Sequence, residues 1–361
     1  MKGMPMPNAE THFFMPEEGR QFIVRAFTAV GMSHADAVSV AELMVLTDRR
    51  GTDTHGIARL PIYVQRLKSG AINKSPQIRI VEDAPATALI DGDNGMGHLV
   101  MSFAARLAVE KAAKNGIGWV GARQSNHAGA AAPYAMIPLA HDMIGLYLAV
   151  AETNHMAPTG GIEALLGTNP IAIAIPTQDE PPIVHDVATT VASNGRVGAL
   201  IESGEAFPEG WLIDHDGLPV TDPKRAHGAA FLPIGGYKGY GLALVFALMG
   251  GALNSAPVGR DAGSPGGPPR PPPANTGQAI MALDIARFGP PERFKRAADK
   301  LVRDIRSSKP VPGVDRIRYP GERGHENFIA TGASGIPLRP ATRGALEKLA
   351  AGLGIEPLTL R

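Results

Sequence analysis

The 361-residue sequence has no cysteine, so disulfides are excluded and a zinc site would have to be built from histidine and carboxylate. The 11 histidines show neither HExxH nor any other paired ligand spacing, and no metal is expected. An excess of charge of one sign is missing as well. With 35 basic and 34 acidic side chains there is no field to hold a phosphate backbone or an anionic bilayer, which argues against nucleic acid and membrane as partners. Small neutral or anionic molecules remain. The longest apolar run, Leu242 to Leu253, is interrupted by glycines and falls short of the roughly 20 residues of a membrane span. The opening MKGMPMPNAETHFFMP lacks the apolar stretch of a signal peptide, and together with the missing cysteine this points to a cytoplasmic protein. GxSxG and GxxxxGK[ST] do not occur, which removes support for a nucleophile elbow and a P-loop. GxGxxG is read as unmet, because Gly95-Met-Gly97 and Gly239-Tyr-Gly241 each begin it and miss the third glycine.

What the chain does contain is two kinds of periodicity. Over the first 70 residues apolar side chains recur every three or four positions, which predicts helices: Phe22 to Val30, then Ala37 to Val45 with Ser33 as N-cap and Gly51 as stop. A third carries Ile57, Leu60, Tyr63, Val64 and Leu67 inward and stops at Gly70. From about residue 78, short aliphatic runs (RIVED, TALID, GIGWVGA, MIGLYLAVA, PIAIAIPT, PPIVHDV, QAIMALD) alternate with helical stretches such as His98 to Asn115, the pattern of an α/β region in which several strands, lacking alternation, are covered on both faces. Residues 239–253 predict an apolar helix whose glycines suit close packing, also across subunits. Another runs from about Glu292 to Arg306, with Phe294, Ala297, Leu301, Val302 and Ile305 on one side. The proline-rich stretch over 258–277 reads as a loop, and Pro340 to Gly354 as a last amphipathic helix. The domains expected are 1–77, helical; 78–315, central α/β; and 316–361, packing with the N-terminal helices.

Four stretches hold candidate chemistry. In GTDTHG, residues 51–56, a helix beginning near Gly56 would put His55 at its edge, with Arg59 and Tyr63 following at intervals of four. The positive potential of a helix start disfavours imidazolium, so His55 should exchange a proton near neutral pH, while Arg59 offers a fork for a carboxylate. The plainer alternative is that Asp53 or Thr54 caps the helix and His55 lies on the surface. In ARQSNHAGAAAPY, Ser125, Asn126 and His127 follow a strand at its carboxyl end, where α/β sheets place ligand crevices; a helix cap explains them equally well. In TGGIEALLGTNP, Gly160, Gly161 and Gly167 expose amides that can line a nucleotide, or simply turn the chain. Just beyond, Asp186 ends an apolar strand, as an orienting carboxylate for a histidine or as an N-cap for a segment near Thr189. In LPIGGYKGYGL, Lys238 between glycines faces a phosphate or solvent.

Taken in order, DRRGTDTHGIARLPIY, DGDNGMGH, SNHAGAA, LLGTNPIAIAIP, DVATT, LPIGGYKGYGLAL, YPGERG and SGIPL resemble the malate/L-lactate dehydrogenase family of NAD(P)-dependent oxidoreductases, which does not use the Rossmann fold. The resemblance implies an α/β homodimer whose central mixed-sheet domain binds NAD or NADP without a glycine fingerprint, and whose N- and C-terminal segments form a helical domain. It implies that His55 is the acid/base, that Thr54 and Asp186 complete a relay with it, and that Arg59 holds a small carboxylate substrate, with Tyr63 and Thr168 beside it. His127 lies in the motif that supplies the proton acceptor in the ureidoglycolate branch, so the two histidines compete for one role; His55, whose helix also carries the arginine, is favoured. Ser125, Asn126, His127, Gly129, Gly160, Gly161, Gly167, Thr168, Asn169, Lys238, Gly321 and Arg323 fall in or near cofactor-contacting stretches. Thr54 stands where the family usually has serine, and Arg196 where it often has lysine. The reaction implied moves a hydride between nicotinamide and a 2-hydroxy or 2-oxo acid. A cyclic imine reductase for piperideine- or pyrroline-2-carboxylate is the nearest alternative, and a non-catalytic binder or a hydrolase built on Asp186, His127 and a serine is more remote.

Overall fold

The computed structural model describes residues 12–263 and 274–361, so the proline-rich stretch over 258–277 lies partly outside the described residues. In chain order the elements are β1 (His12–Phe14), α1 (Pro16–Ala29), α2 (His34–Arg49), α3 (Leu60–Lys68), β2 (Arg79–Asp83), β3 (Thr87–Asp91), α4 (Gly97–Asn115), β4 (Ile117–Arg123), α5 (Ala132–Ala135), β5 (Met143–Ala149), β6 (Ile171–Ile175), β7 (Ile183–Val187), α6 (Asn194–Ser203), β8 (Leu212–Ile213), β9 (Ala230–Phe231), α7 (Tyr237–Phe246), β10 (Gln278–Asp284), α8 (Pro291–Ser307), α9 (Glu322–Ser334), β11 (Ile336–Leu338) and α10 (Pro340–Leu353). They fall into two compact units: the chain up to Gly70 with Glu322–Arg361, and Ala71–Gly321.

The first unit joins the two ends of the chain. Ser33 starts α2 by accepting the Asp36 amide, and Gly51, at φ 81°, turns the chain out of it. The five inward residues expected of the third helix are all buried, Ile57 and Tyr63 at 2 % exposure and Leu60 at 0 %. α2 packs on α1 and α9, α10 meets α1 and α3, and β1 pairs antiparallel with β11. Phe14, Phe22, Phe27, Met44, Leu60 and Leu346 form the interior; each large side chain taken from water contributes about 1.5–3 kcal/mol. The sequence pattern does not predict α9 as a helix.

The second unit is built on a seven-stranded mixed sheet of order β2-β3-β4-β10-β5-β6-β7. β3 and β4 run parallel and the other neighbours antiparallel. Its strands are the seven aliphatic runs of the sequence, and α4 lies along β4 and β10. β2, at the edge, is largely exposed.

A third glycine string corrects the reading of GxGxxG as unmet. Gly116 to Gly121 spells GxGxxG in full, but Gly116 caps α4 and the rest is β4 itself. A Cβ at Gly118 would stand 2.1 Å from the Ala108 carbonyl oxygen, and one at Gly121 would stand 1.9 Å from Asn254 Oδ1. These glycines serve close packing and do not form a strand-to-helix turn around a phosphate.

Two helices differ from expectation. The apolar helix over 239–253 is α7 followed by a π turn, Ala247–Gly251, and a 3₁₀ turn, Ala252–Asn254. Much of it is uncovered: Leu242, Leu244, Val245, Leu248 and Leu253 are 42–66 % exposed. α8 buries Ala298, Asp299 and Val302 and leaves Leu301 and Ile305 outside. Among the described residues no helix is long and apolar enough to cross a membrane, and no group of three His, Cys, Asp or Glu is placed to hold a metal ion.

Candidate active site

In the first unit, the connection between α2 and α3 is a knot of short hydrogen bonds. The Gly51 amide donates to the Asp48 carbonyl (2.9 Å), the Thr52 amide to the Thr47 carbonyl (3.1 Å), and the His55 amide to the Thr52 carbonyl (3.0 Å). A 3₁₀ turn, Ile57–Arg59, then leads into α3, so the helix starts at Leu60 and not at Gly56. Neither Asp53 nor Thr54 caps it. Asp53 instead forms an ion pair with Arg339 at 2.6 Å.

Thr54 ties the two chemical side chains together. Its hydroxyl lies 2.8 Å from His55 Nδ1, and its carbonyl accepts from Arg59 Nε at 2.8 Å. His55 and Arg59 are half-buried, whereas Tyr63 is fully packed into the interior. Burial, and then the repulsion of the Arg59 guanidinium, lowers the His55 pKa to about 4. The sequence placed its proton exchange near neutral pH. The structure lowers it further because desolvation and a cation act together.

Sequence reasoning passed over Asp48. It is 3 % exposed, in the last turn of α2, and its Oδ2 accepts the Ile57 amide at 2.8 Å. The signal available was a carboxylate on the inward face of an apolar helix, where an aspartate needs a partner.

In the second unit, Ser125 and Asn126 stand at the end of β4 with their side chains committed inside the protein. Ser125 Oγ donates to Gln278 Oε1 (2.6 Å), and Asn126 Nδ2 donates to the carbonyls of Asn94 (3.0 Å) and Gly95 (2.9 Å). His127 is half-buried, with Nδ1 accepting the Gly129 amide at 3.3 Å. Asp186 belongs to β7, and its Oδ2 accepts the Ala132 amide at the start of α5 (2.8 Å). It is therefore not an N-cap near Thr189, and the next helix, α6, is capped by Ser193. Asp186 and the segment after His127 thus share one end of the sheet.

The glycine loop divides in two. Gly160, at φ 84°, has open space around it, whereas a Cβ at Gly167 would stand 2.5 Å from the Ala151 Cβ. Asn169 is fully buried, donating to the Ala243 carbonyl (2.9 Å), and the Thr168 carbonyl accepts the Thr189 amide (2.9 Å). Lys238 is exposed in the first turn of α7, behind Gly235 and Gly236 at φ 62° and 63°, and no side chain caps that helix. Gly321 packs on β7, where a Cβ would stand 2.6 Å from the Val184 nitrogen; Arg323 is exposed on α9, in the first unit.

Comparison with known proteins agrees with this architecture. A malate dehydrogenase of Pyrococcus horikoshii is 37 % identical over 351 residues, spanning 93 % of this chain and 94 % of its own. The structure of sulfolactate dehydrogenase from Methanocaldococcus jannaschii superposes with a TM-score of 0.86 at 35 % identity, covering 95 % of this chain and 98 % of that one. Delta1-piperideine-2-carboxylate reductase from Pseudomonas syringae pvar. tomato gives a TM-score of 0.81 at 27 % identity, covering 94 % and 99 %. The model of the malate/L-lactate dehydrogenase family matches residues 14–347. The chain belongs to the malate/L-lactate dehydrogenase family and is, with it, an oxidoreductase acting on CH–OH groups.

Proposed function

We propose that this protein moves a hydride between NAD or NADP and C2 of a small 2-hydroxy or 2-oxo acid of the malate or lactate type. The observation that carries the reading is the turn on which Thr54 holds both His55 and Arg59, a neutral imidazole and a fixed cation on one short segment. When bound, the nicotinamide supplies the hydride acceptor or donor. His55 handles the proton. In oxidation its neutral ring accepts the hydroxyl proton on Nε2, which requires that Nδ1–H donate to the Thr54 hydroxyl. Arg59 grips the substrate carboxylate, and that negative charge offsets the guanidinium's repulsion, which adds to burial in keeping His55 unprotonated, so the imidazolium is stabilised as it forms.

The cofactor fits residues of the second unit. The uncapped start of α7, with its two left-handed glycines and Lys238, suits a phosphate, and Gly160 leaves room for a ligand beside its backbone. Ser125, Asn126 and Asn169 would contribute by shaping the backbone around the cofactor, since their side chains are already paired. The relay role of Asp186 and the alternative claim of His127 rest on the resemblance. A second copy of the chain covers the apolar face of α7 and the turns after it, making a homodimer, and the cysteine-free composition suits the cytoplasm.

The likeness to an imine reductase keeps piperideine- and pyrroline-2-carboxylate as the second reading, with the same residues and a different electrophile. Following nicotinamide absorbance against a panel of keto acids, hydroxy acids and cyclic imines separates them. Turnover with the acids supports the proposal, turnover with the imines alone selects the second reading, and none with either rejects both.

A further inference from the structure

Asp48 has no part in the mechanism so far, yet it is the most deeply buried carboxyl near the reacting turn. Its side chain lies flat against the bare Cα of Gly56: a Cβ there would fall 2.0 Å from Oδ1, 2.2 Å from Cγ and 2.4 Å from Oδ2. No residue but glycine fits at 56 while aspartate occupies 48. On the far side of that contact, Oδ2 accepts the Ile57 amide at 2.8 Å. His55 therefore sits immediately before a peptide unit that α2 holds by both shape and hydrogen bond. We propose that Asp48 is a positioning residue for the reaction, fixing the turn that carries His55 through the fit of its carboxyl group against Gly56 and the Ile57 amide, and not through charge.

The inference rests on the proposed role of His55. Two features favour contact over charge. Burial pushes the Asp48 carboxyl well above its usual range; the Ile57 amide acts against this and Asp53 reinforces it, so a charge is disfavoured at this place. The charged groups that line the same small cavity, Asp53 and Arg339, already pair with each other. Without the clasp, the bond from Thr54 to His55 and the backbone bonds of Gly51 and Thr52 to α2 would remain, but the segment 54–56 would lose its direct tie to the Asp48 side chain. Misplacement of a reacting group by about 1 Å costs up to roughly a hundredfold in rate.

The test compares Asp48→Asn and Asp48→Ser in the full chain, each also combined with His55→Ala, measuring kcat, KM for cofactor and the pH profile of hydroxy-acid oxidation. Asparagine keeps both the shape and the acceptor, so kcat within about threefold of wild type and an unmoved pH profile are expected. Serine keeps neither: kcat should fall roughly 10- to 100-fold with the cofactor KM unchanged, and the loss should vanish in the His55→Ala background, as expected of a residue that acts through another. Asparagine losing as much as serine, or shifting the pH profile, overturns the inference, as does a serine loss that multiplies onto that of His55→Ala. If circular dichroism shows Asp48→Ser unfolded, the asparagine result decides alone. Full turnover in His55→Ala would instead remove the reading on which this rests, whereas an inactive His55→Ala beside a fully active Asp48→Ser removes only the role of Asp48.

Discussion

At residue scale, Arg59 and His55 act on each other through charge. The guanidinium is the second cause, after burial, of an imidazole pKa near 4, so free enzyme holds His55 as a base throughout the neutral range. In the oxidation direction kcat/KM should therefore stay level on acidification until pH approaches about 4 and then fall. Arg59→Gln removes the repulsion, so the acid limb should move to higher pH while KM for carboxylate substrates rises. An uncharged substrate analogue should show the limb shift without the KM change. Equal KM losses for both substrates would contradict the carboxylate role. The chemical identity of this turn was legible in the sequence because a histidine and an arginine stood four residues apart at a helix boundary. Its mechanics were not legible, because the partner of Gly56 lies eight residues upstream, and only the folded chain brings a carboxyl group against it.

At the scale of elements, apolar periodicity revealed the strands of the central sheet and the helices of the N-terminal segment, where burial alone decides which face turns inward. It failed where a polar group decides. α8 turns Asp299 inward because that carboxylate accepts the amides of Gln178 (3.1 Å), Asp179 (2.9 Å) and Glu180 (3.3 Å) in the turn between β6 and β7, and Leu301 and Ile305 are carried outward as a result. Arg303 and Arg306, one and two helical turns on, pair with Glu180 from the same face. Asp299→Ala removes the shared acceptor of three amides and should lower stability by about 1–3 kcal/mol. Urea unfolding would measure this, and a change within error would show that the turn finds other partners. α9 escapes the sequence reading because GERGHENFIATGASG has four glycines and little apolar periodicity; its place is set by packing on α2, where the Arg49 guanidinium stacks 3.6 Å above the Phe328 ring.

For the molecule as a whole, an apolar face among the described residues stands uncovered. Leu242, Leu248 and Leu253 lie 48–66 % exposed along α7 and the turns after it, more apolar surface on one element than a soluble monomer usually leaves to water. Sedimentation should find a dimer. Paired Leu248→Asp and Leu253→Asp substitutions should shift it toward monomer by placing charge in the buried face, whereas an unchanged dimer would place the contact elsewhere. Neither pattern nor motif fixes that assembly, since apolar residues on a helix read the same whether a core or a second copy covers them. The central claim is narrower: one imidazole carries the proton. Steady-state oxidation of a hydroxy acid by His55→Ala, alongside cofactor binding by fluorescence, tests it most directly. Turnover should drop by roughly 10²- to 10⁴-fold while the cofactor binds as before; turnover near that of the unaltered protein would contradict it.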